Sequence, residues 1–353
     1  MRCSLEDMLL EENRVLAPFT TFGIGGRARW FVQARSEEDV VLASAWARER
    51  DIPLFVLGGG SNVLISDAGF EGLVVRVALQ GVEEQDVGDA GVLFRVAAGE
   101  DWDSFVQRAV KEDCAGIECL AGIPGTVGGT PVQNVGAYGQ EVAPVIGRVW
   151  AFDLQERKSV EFASEYCGFA YRQSRFNTVD RDRYVVTRVD YRLTRGGAPL
   201  LRYPDLQRAF AADAKPTLAE VAEAVRRIRQ SKGMLLVEGD LDCHSAGSFF
   251  KNPIVHEDQA DHIAFLAGRQ PPRFPCGVEG KVKIPAAWLI EQAGFAKGFT
   301  KGAAGISLRH TLALINRGGA TAGEILALAA EIRSQVEKKF DVVLQPEPVF
   351  VGF

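Results

Sequence analysis

The order of apolar and polar positions divides this chain into short strand-like runs and a few amphipathic helices. Residues 29–34 read as a strand. Ser36 and Asp39 mark a helix start, with Val40, Ala43 and Ala47 on its inward face. The apolar run 53–57 reads as a buried strand. Val63-Leu64-Ile65 and 72–77 are further β-like runs, separated by a turn at Asp67-Ala68-Gly69. Residues 92–98 predict another strand. Asp101 caps a helix bearing Phe105, Val106, Ala109 and Val110, for which Gly116 is the expected stop. Residues 149–154 and 184–193 read as strands, the second alternating at Val185, Thr187, Val189 and Tyr191.

The pattern changes at 196–216, which Gly196, Gly197, Pro199, Pro204 and Pro216 punctuate. Thr217 and Glu220 then form a capping box for a helix carrying Val221, Val225 and Ile228. Residues 254–283 are charged and rich in Pro and Gly, and predict an exposed excursion. Pro285 opens a short helix that Gly294 closes. A strand at 311–315, a long helix at 321–340 with Ile325, Leu328, Ile332 and Val336 inward, and a last strand ending at Phe353 complete the chain. The class is α+β, with one half to about 200 and a second from about 215.

Composition narrows the function. With 353 residues the chain is long enough for two or three domains with real cores. A net charge of −6 does not favour nucleic acid, which usually wants a basic patch. Cysteines at 3, 114, 119, 167, 243 and 276 form no CxxC pair and no metal-ligand spacing, so reduced cysteines and no metal are expected. No signal peptide and no 18-residue apolar run is apparent, so the expectation is a soluble, cytoplasmic protein, off the membrane and monomeric.

The chemistry concentrates in a few segments. Gly58-Gly59-Gly60-Ser61-Asn62 follows a strand and can aim successive N–H groups at one anion. A Rossmann site would open a helix there, whereas this chain continues as strand. Either a glycine hairpin or a dinucleotide cradle held by loops fits. The run 121–139 holds six glycines in nineteen residues, with enough Ile, Val and Pro to be ordered, and could pack backbone against a flat ligand. In Tyr171-Arg172-Gln173-Ser174-Arg175-Phe176 an arginine beside an aromatic could clamp a carboxylate, or be a surface ion pair. Gly247-Ser248-Phe249-Phe250-Lys251-Asn252-Pro253 sets a hydroxyl, a cation and an amide beside two aromatics, although by itself the serine reads as a turn residue. In Gln345-Pro346-Glu347-Pro348 flanking prolines direct a carboxylate that is otherwise an edge-strand glutamate.

Taken together these motifs resemble the UDP-N-acetylenolpyruvoylglucosamine reductase family, over nearly everything from residue 18 to 353. Thr21-Phe22-Gly23-Ile24-Gly25-Gly26, the Gly58–Asn62 loop, the 121–139 run, the Arg172 motif, the Ser248 motif and the Glu347 motif stand in the family's order. The resemblance implies a p-cresol methylhydroxylase/vanillyl-alcohol-oxidase-type FAD-binding domain at 1–200, with subdomains at about 1–80 and 81–200. A smaller α+β substrate-binding domain at 215–345 and a strand at 346–353 returning to the active site follow. It implies non-covalent FAD, since no His or Cys lies between Gly58 and Arg76. The cofactor contacts implied are Gly58, Gly59, Gly60, Ser61, Asn62, Ile123, Pro124, Gly125, Val127, Gly128, Gly129 and Tyr138.

The implied reaction reduces UDP-N-acetylglucosamine enolpyruvate to UDP-N-acetylmuramate, with NADPH as co-substrate. Hydride reaches C3 by way of the flavin and a proton reaches C2. Arg172 faces the substrate carboxylate, Ser248 donates the proton, and Glu347 either shares a proton at the developing charge or orients its neighbours. Tyr203, Lys232, Asn252 and His310 hold substrate, Tyr203 from a covering loop that marks the family's longer form. Departures from the family pattern are Thr20, where asparagine is frequent, Asn177, where lysine is frequent, and Val349, where some members carry arginine. The rival readings are an FAD oxidase of the same fold and a non-catalytic nucleotide-binding relative.

Overall fold

The computed structural model describes residues 9–353, so Cys3 lies outside the described residues. Two compact units divide them, and each is discontinuous in sequence. The first takes in residues to Arg14, Ala28–Gly60 and Phe70–Gln230; the second takes in Val15–Arg27, Ser61–Gly69 and Ser231–Phe353.

In the first unit, strands Arg27–Ala34, Phe70–Val77 and Leu54–Leu57 run parallel, with Phe70–Val77 in the middle. Parallel strands need a crossover, and helix Glu37–Glu49 supplies the one from Arg27–Ala34 to Leu54–Leu57, the two strands that flank Phe70–Val77. Its start is the expected capping box: Asp39 N–H donates to Ser36 Oγ, and the Asp39 carboxylate accepts from Ser36 N–H. The second sheet is antiparallel, in the order Lys158–Ala163, Ile146–Asp153, Tyr184–Arg195, Gly91–Ala97, Val82–Asp86. Val185, Thr187, Val189 and Tyr191 are all buried, as their alternation predicts. Tyr191 is fully buried against Trp102 and Phe105, and its hydroxyl shares a 2.6 Å hydrogen bond with Thr130. Helix Trp102–Lys111 begins at the Asp101 cap but ends before Gly116. The chain leaves it at Glu112, and Asp113 takes the left-handed conformation (φ 57°) that the glycine was expected to supply.

The second unit is built on helix Ala322–Phe340, capped by Thr321 and Glu324, with Ile325, Leu328, Ile332 and Val336 buried. The 254–283 segment is largely exposed, as the sequence predicts, but it also has regular structure that the sequence reading did not include: strands Ile254–His256, Lys281–Lys283 and Phe274–Pro275 form a small sheet, and helix Glu257–Ala267 buries Ala260, Ile263 and Ala264. The charged outer face of that helix masked its apolar stripe. The strand expected at 311–315 is Leu314–Asn316, paired with Ala304–Ile306, and the last strand is Val349–Val351, parallel to Val63–Ile65. Among the described residues no helix is long and apolar enough to cross a membrane.

In one ion pair of the first unit the carboxylate is buried and multiply hydrogen-bonded. Arg183 donates to Asp153 through Nη2 (2.7 Å) and Nε (3.1 Å), and the N–H groups of Gln155 and Glu156 donate to the same carboxylate. The Arg183 guanidinium above all holds the Asp153 carboxyl at about 2, below its ordinary 3.8. A depressed carboxyl pKa adds stability that is present above the ordinary value and is lost as pH falls through the folded one. Asp153→Asn should therefore lower stability by about 1–3 kcal/mol at neutral pH. In urea unfolding its gap from the parent chain should close as pH falls toward 2. A gap that stays constant with pH would refute the assignment.

Candidate active site

Strand Leu54–Leu57 delivers three glycines to the 121–129 loop, and there the two loops meet backbone to backbone. A Cβ on Gly59 would stand 2.6 Å from Gly125 Cα and 3.0 Å from Thr126 N; one on Gly58 would stand 3.0 Å from Thr126 Oγ1. Gly128 is equally tight, 2.6 Å from Ala98 Cβ. The 121–129 loop is pinned by Trp102 N–H to Gly125 O (3.1 Å), Val127 N–H to Glu100 O (2.9 Å) and Gly128 N–H to Ala98 O (2.9 Å). Gly122 is clamped from both sides: its N–H donates to Asp103 Oδ1 (2.5 Å) and its carbonyl accepts from Arg229 Nε (2.9 Å). Arg226 pairs with the same Asp103, and Arg229 also engages Tyr138.

What this leaves over is a set of donors. Among the described residues, the main-chain N–H groups of Gly59, Gly60, Ile123, Gly125 and Thr126 donate to no protein acceptor. Such N–H groups on two touching loops suit a diphosphate. A Cβ on Gly129 meets no protein atom within 4 Å, so that backbone is open to the face of a flat ring. These residues therefore fit FAD.

Asp103 and Arg229 were not singled out from the sequence. The signal for Arg229 was available, because it continues the inward stripe of Val221 and Val225 at four-residue spacing on helix Leu218–Ser231. An arginine on a buried stripe needs a partner, and the Gly122 carbonyl is one.

Arg172, also in the first unit, sits at the tip of a two-residue turn. Ala170 and Gln173 exchange both main-chain hydrogen bonds (3.0 and 3.1 Å), and Arg172 takes φ 55°. A non-glycine residue there costs about 1–2 kcal/mol. Its guanidinium carbon lies 5.7 Å from the Tyr171 ring centroid. Tyr203 lies in a bend at the start of a short helix that the loop reading of 196–216 did not include. It is the N-cap of the short helix Pro204–Ala209, whose Leu206 is fully buried, and its ring meets Tyr138 edge-on at 5.4 Å. Pro204 at the first helical position, read from the sequence only as loop punctuation, was a helix-start signal.

The second unit brings Ser248 and Glu347 onto neighbouring extended segments. Glu347 N–H donates to Phe249 O (2.8 Å), Lys251 N–H donates to Gln345 O (2.9 Å), and Phe250 bridges Pro346. Asn62 joins them, its Nδ2 donating to Glu347 O at 3.3 Å and its carbonyl accepting from Val349 N–H at 2.9 Å. Val349 is thus part of the parallel strand pair. Ser61 precedes Asn62 on the same segment.

Ser248 is half-buried, and its hydroxyl takes no partner among the described residues. The turn bond expected of it belongs instead to Ser245, whose Oγ accepts from Gly247 N–H (3.1 Å). Asn252 Oδ1 accepts from Ala286 N–H (2.9 Å) and so caps helix Ala286–Gln292, which leaves its amide NH2 as the edge that can meet a ligand. Lys232 directly follows helix Leu218–Ser231. His310 lies in a turn organised by Asp242, which accepts from Ser307 Oγ (2.7 Å), Leu308 N–H (2.8 Å) and Arg309 Nε (2.7 Å); Ser307 Oγ in turn accepts from His310 N–H. Burial pushes the Asp242 carboxyl up, but the bonds from Arg309, Ser307 and Leu308 outweigh it and hold it below its ordinary value.

The family model for the FAD binding domain matches residues 28–149, and that for the C-terminal domain of UDP-N-acetylenolpyruvoylglucosamine reductase matches 239–351. The reductase of Thermobifida fusca is 45% identical over 350 residues, covering 96% of this chain and 97% of its own. The chain belongs to the UDP-N-acetylenolpyruvoylglucosamine reductase family. The reductase of Streptomyces coelicolor is likewise 45% identical, covering 96% of this chain and 89% of its own. The crystal structure of the Thermus caldophilus reductase superposes with TM-score 0.65 at 26% identity, covering 96% of this chain and 97% of that one. The chain thus joins an FAD binding domain to the family's C-terminal domain, with helices and strands mixed in both units, the α+β class that the sequence predicts. FAD is the cofactor and NADPH the co-substrate.

Two glycine substitutions separate folding from cofactor binding. Gly59→Ala drives its Cβ into Gly125 backbone, so it should lower both apo-protein stability and FAD affinity. Gly129→Ala meets no protein atom and should weaken FAD binding about tenfold or more, equivalent to at least about 1.4 kcal/mol, while apo-protein thermal unfolding stays unchanged. Fluorescence titration of apo-protein with FAD measures the affinities. Unaltered FAD affinity in Gly129→Ala would remove that residue from the cofactor site.

Proposed function

We propose that this chain reduces the enolpyruvyl ether of UDP-N-acetylglucosamine enolpyruvate with electrons from NADPH, and that Ser248, Glu347 and Arg172 do the work around the reacting carbons. Bound FAD supplies the hydride relay between the two substrates. The observation that carries the residue assignment is the half-buried Ser248 hydroxyl, uncommitted among the described residues and on a segment laddered to that of Glu347.

Charge accumulates on the substrate carboxylate as C3 gains hydride. Arg172 is permanently cationic and can hydrogen-bond that carboxylate as it becomes enolate-like. Its left-handed backbone supports the assignment, since local strain at a cationic turn tip is readily explained by a functional demand. Ser248 donates a proton to C2. A hydroxyl is a weak acid, but an enolate carbon is basic enough to take its proton. Lys251 or a water returns the proton. Glu347 shares a proton with the site or orients substrate; an ionised, unshared carboxylate would oppose the developing charge. Asn252 offers its NH2 edge to the substrate, Lys232 its cation to the diphosphate, and His310 a polar group on the substrate side.

Gly58–Asn62, Ile123–Gly125, Val127–Gly129 and Tyr138 hold FAD. The division of labour follows: residues to about 200 bind FAD, 215–345 bind substrate, and 346–353 return Glu347 to the site. The reaction's soluble, nucleotide-linked substrates support a cytoplasmic location, and a monomer is the proposed state. An oxidase of the same fold would have no need of both the Ser248 and Glu347 motifs, and a non-catalytic relative no need to retain Arg172 with them.

Ser248→Ala tests the reading. NADPH-driven flavin reduction should survive, while reoxidation by the enolpyruvyl nucleotide should slow about 10²–10⁴-fold, as for a lost general acid. Ser248→Cys should recover part of that rate. Stopped-flow absorbance follows each half-reaction, and normal reoxidation in Ser248→Ala, in deuterium oxide as in water, ends the proton-donor assignment. Tyr203→Phe removes one hydroxyl, so it should raise the Kd for the enolpyruvyl nucleotide several-fold and leave flavin reduction untouched. Equal losses in both would remove Tyr203 from the substrate site.

A further inference from the structure

Three anchors hold the Arg172 turn within the first unit, and two of them reach the segment that follows the FAD loop. Asn134, nearly fully buried, donates Nδ2 to Ala170 O (3.1 Å) at the start of the turn, while its Oδ1 accepts from Ala143 N–H (3.1 Å). Ser174, fully buried just after the turn, donates Oγ to Val132 O (2.6 Å). The third anchor grips the arginine's own peptide: Asn177 Nδ2 donates to Arg172 O (3.3 Å), and Asn177 Oδ1 accepts from Ser174 N–H (2.9 Å). A lysine at 177 would have no acceptor for the Ser174 N–H.

We infer that Asn177 is a positioning residue for Arg172, resting on the assignment of Arg172 to the substrate carboxylate. A left-handed arginine is a conformation the chain would relax if it could. Asn177 opposes that relaxation by holding the arginine carbonyl and the Ser174 amide with one planar group. Ser174 bonds Val132, and Ala170 bonds Asn134, both in the run after the FAD loop. The direction of the guanidinium is thereby referenced to the loop that holds the cofactor. Asn177 need touch neither substrate nor FAD to act.

The test is a double-mutant cycle on the holoenzyme. Asn177→Ala should weaken affinity for the enolpyruvyl nucleotide, measured calorimetrically, and slow reoxidation, each by about tenfold, one lost hydrogen bond's worth. FAD affinity and NADPH-driven reduction should not change. In an Arg172→Ala background the same substitution should have no further effect on either quantity. Asn177→Asp keeps the Oδ1 acceptor and loses the donor to Arg172; it should show the same selective loss, and it carries the test if Asn177→Ala does not fold. Independent, additive effects of the two sites, or equal losses in both half-reactions, overturn the inference. If Arg172→Ala collapses reoxidation and both Asn177 variants behave as the parent, the positioning role fails and the Arg172 assignment stands. If Arg172→Ala leaves reoxidation intact, that assignment fails and the positioning role with it.

Discussion

Main chain pressed on main chain at Gly59 and Gly125 is the constraint on which the first unit's chemistry depends. No Cβ fits between them. Contact this close brings main-chain N–H groups of both loops into one small region, where side chains would otherwise hold them apart. The cost is conformational entropy, because glycine loses more freedom on folding than any other residue. The surrounding structure offsets it with directional bonds: Trp102 and Val127 tie the loop to the start of a helix, and Asp103 and Arg229 clamp the Gly122 peptide. Arg229 carries a buried charge to do so, which burial disfavours and its contacts with Tyr138 and Asp103 partly offset. Removing it would strand the Gly122 carbonyl that it satisfies.

The second unit solves a different problem. The proposed proton donor, Ser248, must keep its hydroxyl uncommitted on a segment paired with that of Glu347. The ladder between Phe249 and Glu347 fixes both backbones, and Pro346 and Pro348 limit what else that segment can pair with. Phe249 and Phe250, both buried, hold the Ser248 segment against the core, while Ser245 takes over the local turn bond. The division leaves the Ser248 hydroxyl without a local turn bond, as the proposed donor role requires. Asn252 shows the same economy: one end of its amide caps a helix and the other can face a ligand.

Much of this was legible in the sequence where short-range rules apply. The capping boxes at Ser36, Thr217 and Thr321 formed as their spacing demands. The strand Val63–Ile65, which follows the Gly58–Asn62 loop, appears where a Rossmann helix would have opened. Failures came where a local signal competed with tertiary packing. Gly116 looked like a helix stop, yet Asp113 can also adopt left-handed backbone and lies closer. The 254–283 segment read as polar because one face of its helix is, and a stripe of Ala260, Ile263 and Ala264 is weakly hydrophobic. Tyr203 read as loop because six helical residues are too few to show a period. The pairing of Val63–Ile65 with Val349–Val351 joins segments far apart in the chain, and no local pattern encodes such a partner. Residue types in the site were legible from motifs. The anchoring roles of Asp103, Asn134 and Asn177 were not, because each acts through a hydrogen bond to a distant or strained peptide, and the stripe that carries Arg229 does not name its partner.

The central claim is that electrons from NADPH reach the enolpyruvyl nucleotide through FAD held by this chain. An anaerobic titration tests it most directly. Purified yellow enzyme should bleach on adding NADPH, and the flavin absorbance should return on adding UDP-N-acetylglucosamine enolpyruvate, with one equivalent of UDP-N-acetylmuramate formed per flavin reoxidised. Absorbance that stays bleached with the nucleotide and returns only when air is admitted would contradict the account and identify an oxidase.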